Sequence, residues 1–332
     1  MSRPDLARRY ARWVALLYPA PDRHRRGAEL VDTYLALAPP GRRHPTAADI
    51  ADLAAGGLRR HLRAVPGFGP GLRLAGLIAL TTAAAFGSGW AAFEMLALHG
   101  PRPSVSLAPA AWVAWLLTAA AYAAAPGRWW RRSAVAALLV TAALQPAALL
   151  TGRPGAPLTV LVPQCVLGLV ALGADVRPGR RTRLLPLAAA LVTAPVTVAA
   201  APPEGVFGNY YEPAETVLPV VGVTLLITAV LLALALAVVR PDSRGVWTLL
   251  ILLTPIGMLA LNRLGGLLDG APGRPLLDTW PLVPTWPSMA AAAAAVATVG
   301  PALLLLALAL AARSHHRPPP GAGGCAGVRE EL

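Results

Sequence analysis

The strongest constraint on this chain is the recurrence of long apolar runs. A helix needs about 20 apolar residues to cross a bilayer's hydrocarbon core, with roughly 17 to 25 as the working range. Eight stretches meet that demand, at 73–97, 107–125, 133–151, 157–174, 184–201, 215–239, 246–264 and 288–312. Pro186 and Pro195 interrupt the fifth, but membrane helices tolerate proline where neighbours satisfy the freed carbonyls. The expected fold class is therefore all-α: a polytopic bundle of eight transmembrane helices over 67–312. A small basic three-helix head over 1–66 precedes it, and a disordered tail over 313–332, rich in Pro and Gly, follows.

Composition agrees, with an apolar fraction of 56% and only 14% charged residues. The net charge of +13 would in a soluble chain raise the question of nucleic acid. In a polytopic protein, arginines concentrate instead on cytoplasmic loops. They do so here in alternate loops, at Arg128, Arg131 and Arg132, at Arg177, Arg180, Arg181 and Arg183, and at Arg240 and Arg244. The opposite loops hold only Arg102, Arg153 and Arg274, with Arg263 near a span end. Head and tail fall on the arginine-rich side, so a multi-pass inner-membrane protein with both termini cytoplasmic is expected. The first thirty residues lack a continuous apolar core for a cleavable signal, so the first span is expected to act as an anchor. Tyr210, Tyr211, Trp280 and Trp286 suit the outer headgroup zone, and Trp129, Trp130 and Trp247 the inner one. Cys165 and Cys325 lie too far apart in this topology for a disulfide.

In the head, Leu6, Tyr10, Trp13, Val14 and Leu17 recur at helical spacing. Asp22 is a candidate N-cap for a second helix to about Ala38, with Leu30, Val31, Tyr34 and Leu35 on its apolar side. A third helix starts near Thr46 with Asp49 as a capping-box variant and is expected to bury Ile50, Leu53, Leu58 and Leu62. So small a core is marginal alone. Its basic residues suit inner-leaflet lipid or an acidic protein surface; a DNA reader is disfavoured, because no helix presents a clean base-reading face.

One motif in the head carries a resemblance. Tyr18-Pro19, then Arg23, Arg25, Gly27 and Glu29, resembles the Tyr-Pro-x-x-x-Arg-x-Arg-x-Gly-x-Glu pattern of the permease-prefix and HAAS-like, PadR-associated helical domains of bacterial membrane proteins. The resemblance covers about a fifth of the chain. It implies a cytoplasmic adaptor or regulatory module and no catalytic residues.

Motifs for chemistry are missing: there is no P-loop, HExxH, CxxC or GxSxG. The histidines are scattered without carboxylate or thiolate neighbours at ligand spacing, so no metal or other cofactor is expected. More telling are polar residues within or at the ends of spans, since burying charge in hydrocarbon is costly. Glu94, Gln145, Gln164, Glu215, Asn262 and Arg263 all map toward the outer half of the bundle at similar depth. An outward-facing polar pocket in which Arg263 pairs with Glu94 or Glu215 is one expectation; interfacial snorkelling with a structural ion pair is the alternative.

These features together point to a noncatalytic regulator or sensor, with the bilayer and a cytoplasmic regulator as partners. The competing reading is a permease-type subunit served by a separate transport ATPase, with a lipid-acting membrane enzyme third.

Overall fold

The structure, a computed structural model, describes residues 3–39, 42, 44–98, 106–125, 127–153, 155–175, 177–200, 211, 214–239, 242–270 and 284–314. Expectations that fall on 201–210, 271–283 and 315–332, among them the aromatic loops around Tyr210 and Trp280 and the C-terminal tail, lie outside these residues. Among the described residues the chain is all-helical, without strands, and it divides into two units, 1–69 with 305–332, and 70–304.

The N-terminal unit holds α1 (Arg3–Leu17), α2 (Ala20–Leu37) and α3 (Ala47–Ala64). Tyr10 and Val14 of α1 and Leu53 of α3 form its centre, with Leu17, Tyr18, Leu30, Val31 and Tyr34 packed around them. Tyr10 and Tyr34 stack face to face at 3.9 Å. Three details differ from expectation. The N-cap of α2 is Pro19; Asp22 lies in its first turn and reaches Arg60 of α3 at 3.6 Å. Trp13 and Leu58, expected on apolar faces, are 37% and 56% exposed. Gly57 takes the inward position beside Leu58, because a side chain there would strike the Leu17 carbonyl.

The second unit is built on most of α4 (Phe68–Leu98), on α5 (Pro109–Ala124), α6 (Arg128–Thr151), α7 (Leu158–Ala171), α8 (Leu185–Ala200), α9 (Ala214–Val239), α10 (Arg244–Leu259) and α11 (Leu261–Gly270), and on α12 (Trp286–Ser314) as far as residue 304. Among the described residues, five helical stretches are long and apolar enough to cross a membrane, those of α4, α6, α8 with the 3-10 turn before it, α9 and α12. A sixth crossing is reached if α10 and α11 count as one broken span. Of the eight spans expected from hydropathy, five or six are thus matched by the described helices on length and apolarity. α5 and α7 have 16 and 14 residues, and at about 1.5 Å per residue a 14-residue helix covers roughly 21 Å of a hydrocarbon core about 30 Å thick. The expected seventh span breaks at Ala260, which leaves helical geometry at φ −91° and ψ 8°, and the chain turns by 64°.

Burial orders these helices. Of the most apolar stretch of α4, 67% is buried, against 6% for α12. The short α5 and α7 are central too: Trp112, Trp115 and Leu167 are fully enclosed. Small residues let backbones approach and hydroxyls or amides tie them, the packing chemistry of helices in lipid. A methyl on Gly76 would meet the backbone of Gly173 and Ala174, and one on Gly71 would meet Trp247 and the Arg244 carbonyl. Ser88 donates to the Ala190 carbonyl at 2.5 Å, Thr248 to the Gly71 carbonyl at 3.1 Å, and Trp115 Nε1 to Thr141 at 3.1 Å. These contacts set the start of α4, the end of α7 and the start of α10 at one end of the unit, where Tyr122 of α5 also meets Trp130 of α6.

Candidate functional site

Near the opposite end of α4 lies Glu94, an acid that would be costly to bury unpartnered. It is 4% exposed. The Tyr211 hydroxyl, from the segment ahead of α9, donates to its Oε1 at 2.6 Å, and the Ser106 hydroxyl, from the segment ahead of α5, is a second hydrogen-bonding neighbour. Ser106 also accepts the Ala108 N–H at 3.0 Å, which fixes its hydroxyl at the entry to α5. The Tyr211 ring lies 5.4 Å from Trp90, one turn before Glu94, and Trp90 lies 5.7 Å from Phe93. One carboxyl thus ties three pieces of chain that are far apart in sequence, under an aromatic cover.

The other five residues of the expected cluster do not join it. Gln164 is buried, and its Nε2 donates to the Ala83 carbonyl of α4 at 3.1 Å. Ala83 precedes Glu94 by eleven positions, about 16 Å along a helix, so the two are not at one depth. Gln145 lies half-buried on α6, where its Oε1 is enclosed and without a hydrogen-bond partner among the described residues; the Gln164 Oε1 shares that condition. Glu215 is half-buried at the start of α9. Asn262 and Arg263 stand on α11, beyond the bend, with Arg263 exposed. Among the described residues Arg263 has no ion pair with Glu94 or Glu215. The bend at Ala260 carries Asn262 and Arg263 off the line of α10, which a straight span would not do.

Sequence reasoning missed Tyr211 and Ser106 as partners of Glu94. Tyr211 reads as a headgroup aromatic and Ser106 as loop, and no spacing rule links either to position 94. What the group can do is limited by its membership. Among the described residues, one carboxyl and two hydroxyls, without a second acid or base, form a polar lock between segments. No cluster of three or more metal-ligating side chains occurs among the described residues.

The head motif has a local explanation. Tyr18 lies over α3, where a methyl on Gly56 would come within 2.5 Å of its hydroxyl. Pro19 opens α2, its fixed φ suited to the helix entry. Arg23 reaches back and donates to the Ala15 carbonyl at 2.7 Å, satisfying an end of α1. Glu29 accepts two hydrogen bonds from Arg26, at 2.8 and 2.9 Å, and that bond holds its carboxyl below the usual range. Arg25 is exposed. Gly27 has open space around it and lines a shallow groove of about 410 Å³ between α1 and α2 with Ala11, Val14, Ala15 and Val31.

Comparison of the chain with family models, with curated proteins and with solved structures finds no match in any of the three.

Proposed function

We propose that this chain is a multi-pass inner-membrane regulator, in which the outer connections and the membrane helices share one conformational element and the cytoplasmic head passes its state to a protein partner. The observation that carries this reading is the Glu94 lock. It joins α4, the most enclosed long helix, to the segments ahead of α5 and α9, and among the described residues it has no paired group of the kind that acid-base chemistry uses. A lock with two states, made or broken, is what a sensor needs.

The topology that fits this role has eight crossings with both termini cytoplasmic. α5 and α7 are short crossings sheltered by longer helices, and α10 with α11 is a bent one. In support, the arginine-bearing ends of α4, α6 and α10 lie together, away from Glu94. The resemblance of the head to permease-prefix and HAAS-like domains supports the relay to a cytoplasmic partner.

The test is cross-linking in cells of the full chain against Glu94→Gln and Tyr211→Phe. A cytoplasmic protein joined to the head should be recovered with wild type, and its yield should change several-fold in both variants at equal membrane levels. Unchanged yield in both sinks the sensor reading. The enclosed oxygens of Gln145 and Gln164 favour a second reading, a permease subunit with a polar path through the bundle; recovery of an ATPase as the partner would select it.

A further inference from the structure

The arginine-rich end of the second unit holds a site that the Glu94 lock does not use. α6 opens on Arg128-Trp129-Trp130-Arg131-Arg132, with no acidic residue in its first turn. Trp130 is fully buried, its ring edge against Tyr122 at 5.1 Å, and the Arg131 guanidinium stands 5.9 Å from its centre. Trp129 is 60% exposed, with the Arg132 guanidinium 5.3 Å from its ring. One indole is therefore an anchor in the bundle and the other a surface platform, and each holds a guanidinium beside it by cation–π attraction.

The carboxylates at this end are already engaged. Asp175, close enough to act on Tyr122, lies 3.8 Å from Arg73, and Asp242 lies 3.0 Å from Arg244. Among the described residues Arg128, Arg131 and Arg132 have no carboxylate partner. The 3-10 turn that packs on α5 carries a further arginine, Arg183, whose Nε is enclosed without a hydrogen-bond partner among the described residues. Among the described residues the patch is thus positive charge without a carboxylate partner, at the foot of a 24-residue apolar helix. At that boundary the abundant anion is the lipid phosphate, which a planar guanidinium fork binds through two N–H groups. An exposed indole beside it matches the depth of the headgroups.

We propose that Arg128, Arg131, Arg132 and Trp129 form a seat for the phosphate headgroup of an anionic phospholipid. The seat rests on α6 crossing the bilayer and is independent of the regulator reading. Its test uses the full chain in nanodiscs of phosphatidylcholine with a minor fraction of phosphatidylglycerol, followed by native mass spectrometry of the lipids retained.

Wild type should retain phosphatidylglycerol well above its share of the bilayer. The variant Arg128→Gln/Arg131→Gln/Arg132→Gln should lose about tenfold or more of that enrichment, as removal of three charges near a membrane surface predicts. The corresponding lysine variant should keep most of it, and Arg12→Gln/Arg25→Gln, in the head, should keep all of it. Where the triple glutamine variant does not fold, Arg132→Gln and Trp129→Ala, both surface changes, should each show a several-fold loss. Enrichment that survives these changes, or falls equally in the head variant, overturns the seat. So does loss of the retained lipid to dilute inorganic phosphate, which would assign the charge to free anions.

Discussion

Two glycines of the head show how little the residue type alone says about its role. Gly27 belongs to the family-like motif, yet a methyl there meets nothing within 4 Å. Gly57 belongs to no motif, yet a methyl there would strike the Leu17 carbonyl and crowd Tyr18. Both are helical, and alanine in a helix interior is favoured over glycine by about 1 kcal/mol. Gly27→Ala should therefore leave the head as stable or stabilise it by up to about 1 kcal/mol. Gly57→Ala should destabilise it by about 1–3 kcal/mol, the usual cost of overpacking. Amide hydrogen exchange across α1 to α3 of the full chain checks both, and equal protection in the two variants would refute the packing account. The buried phenols report the same core: burial first, then neighbouring negative groups including Asp49, pushes Tyr10 above the ordinary phenol range.

Among helix starts, that of α3 carries a complete capping box. Thr46 accepts the Asp49 N–H at 3.2 Å, and Asp49 accepts the Thr46 N–H at 2.8 Å, completing a reciprocal capping box. Asp49 also takes the Tyr34 hydroxyl at 3.1 Å and Arg42 at 3.2 Å, so the cap ties α3 to α2. The Thr46 backbone N–H, with its side chain next, holds the Asp49 carboxyl below the usual range. A carboxyl depressed in the folded state binds protons less readily than in the unfolded chain. Its contribution is full above the ordinary aspartate value, about 4, and fades as pH falls below it. Thr46→Ala should cost about 1 kcal/mol. Wild-type exchange at the first turn of α3 should accelerate below about pH 4, whereas Asp49→Asn, already fast at neutral pH, should show no such step. An acid step that persists in the Asn variant would place the cause elsewhere.

For the whole molecule the open quantity is how often the chain crosses. Among the described residues, counting by length and apolarity gives five crossings, or six with the bent pair. The proposed topology has eight, because α5 and α7 can be short where other helices shield them from lipid. Single cysteines placed at Arg132, Arg181 and Asp242 in a chain freed of Cys165 and Cys325 should react with an impermeant thiol reagent only from the inner side. Cysteines at Arg153 and Asp269 should react only from the outer side. Labelling of Arg132 and Arg181 positions from opposite sides would remove α7 or its neighbour from the count.

Much of this architecture is legible in residue order. Apolar runs long enough to be helices, Thr46 and Asp49 at a helix start, and Tyr18-Pro19 at a turn are local signals, and local signals follow from backbone geometry and neighbouring side chains alone. The inward face of α3 was misread at Leu58 because periodicity marks a stripe without saying which partner lies against it. The arrangement of the polar residues is less legible, for a stronger reason. Depth along a chain does not say which side chains face one another, so six polar residues at comparable hydropathy positions resolve into one buried lock at Glu94, a separate tie at Gln164, Gln145 half-buried on α6, Glu215 at the start of α9, and Asn262 and Arg263 beyond a bend. Residue order thus already requires a helical chain of long apolar segments, because each segment in hydrocarbon must satisfy its backbone hydrogen bonds internally. Which helices are central and what Glu94 touches emerge from the packed chain alone, because those outcomes depend on contacts between segments that are distant in the sequence.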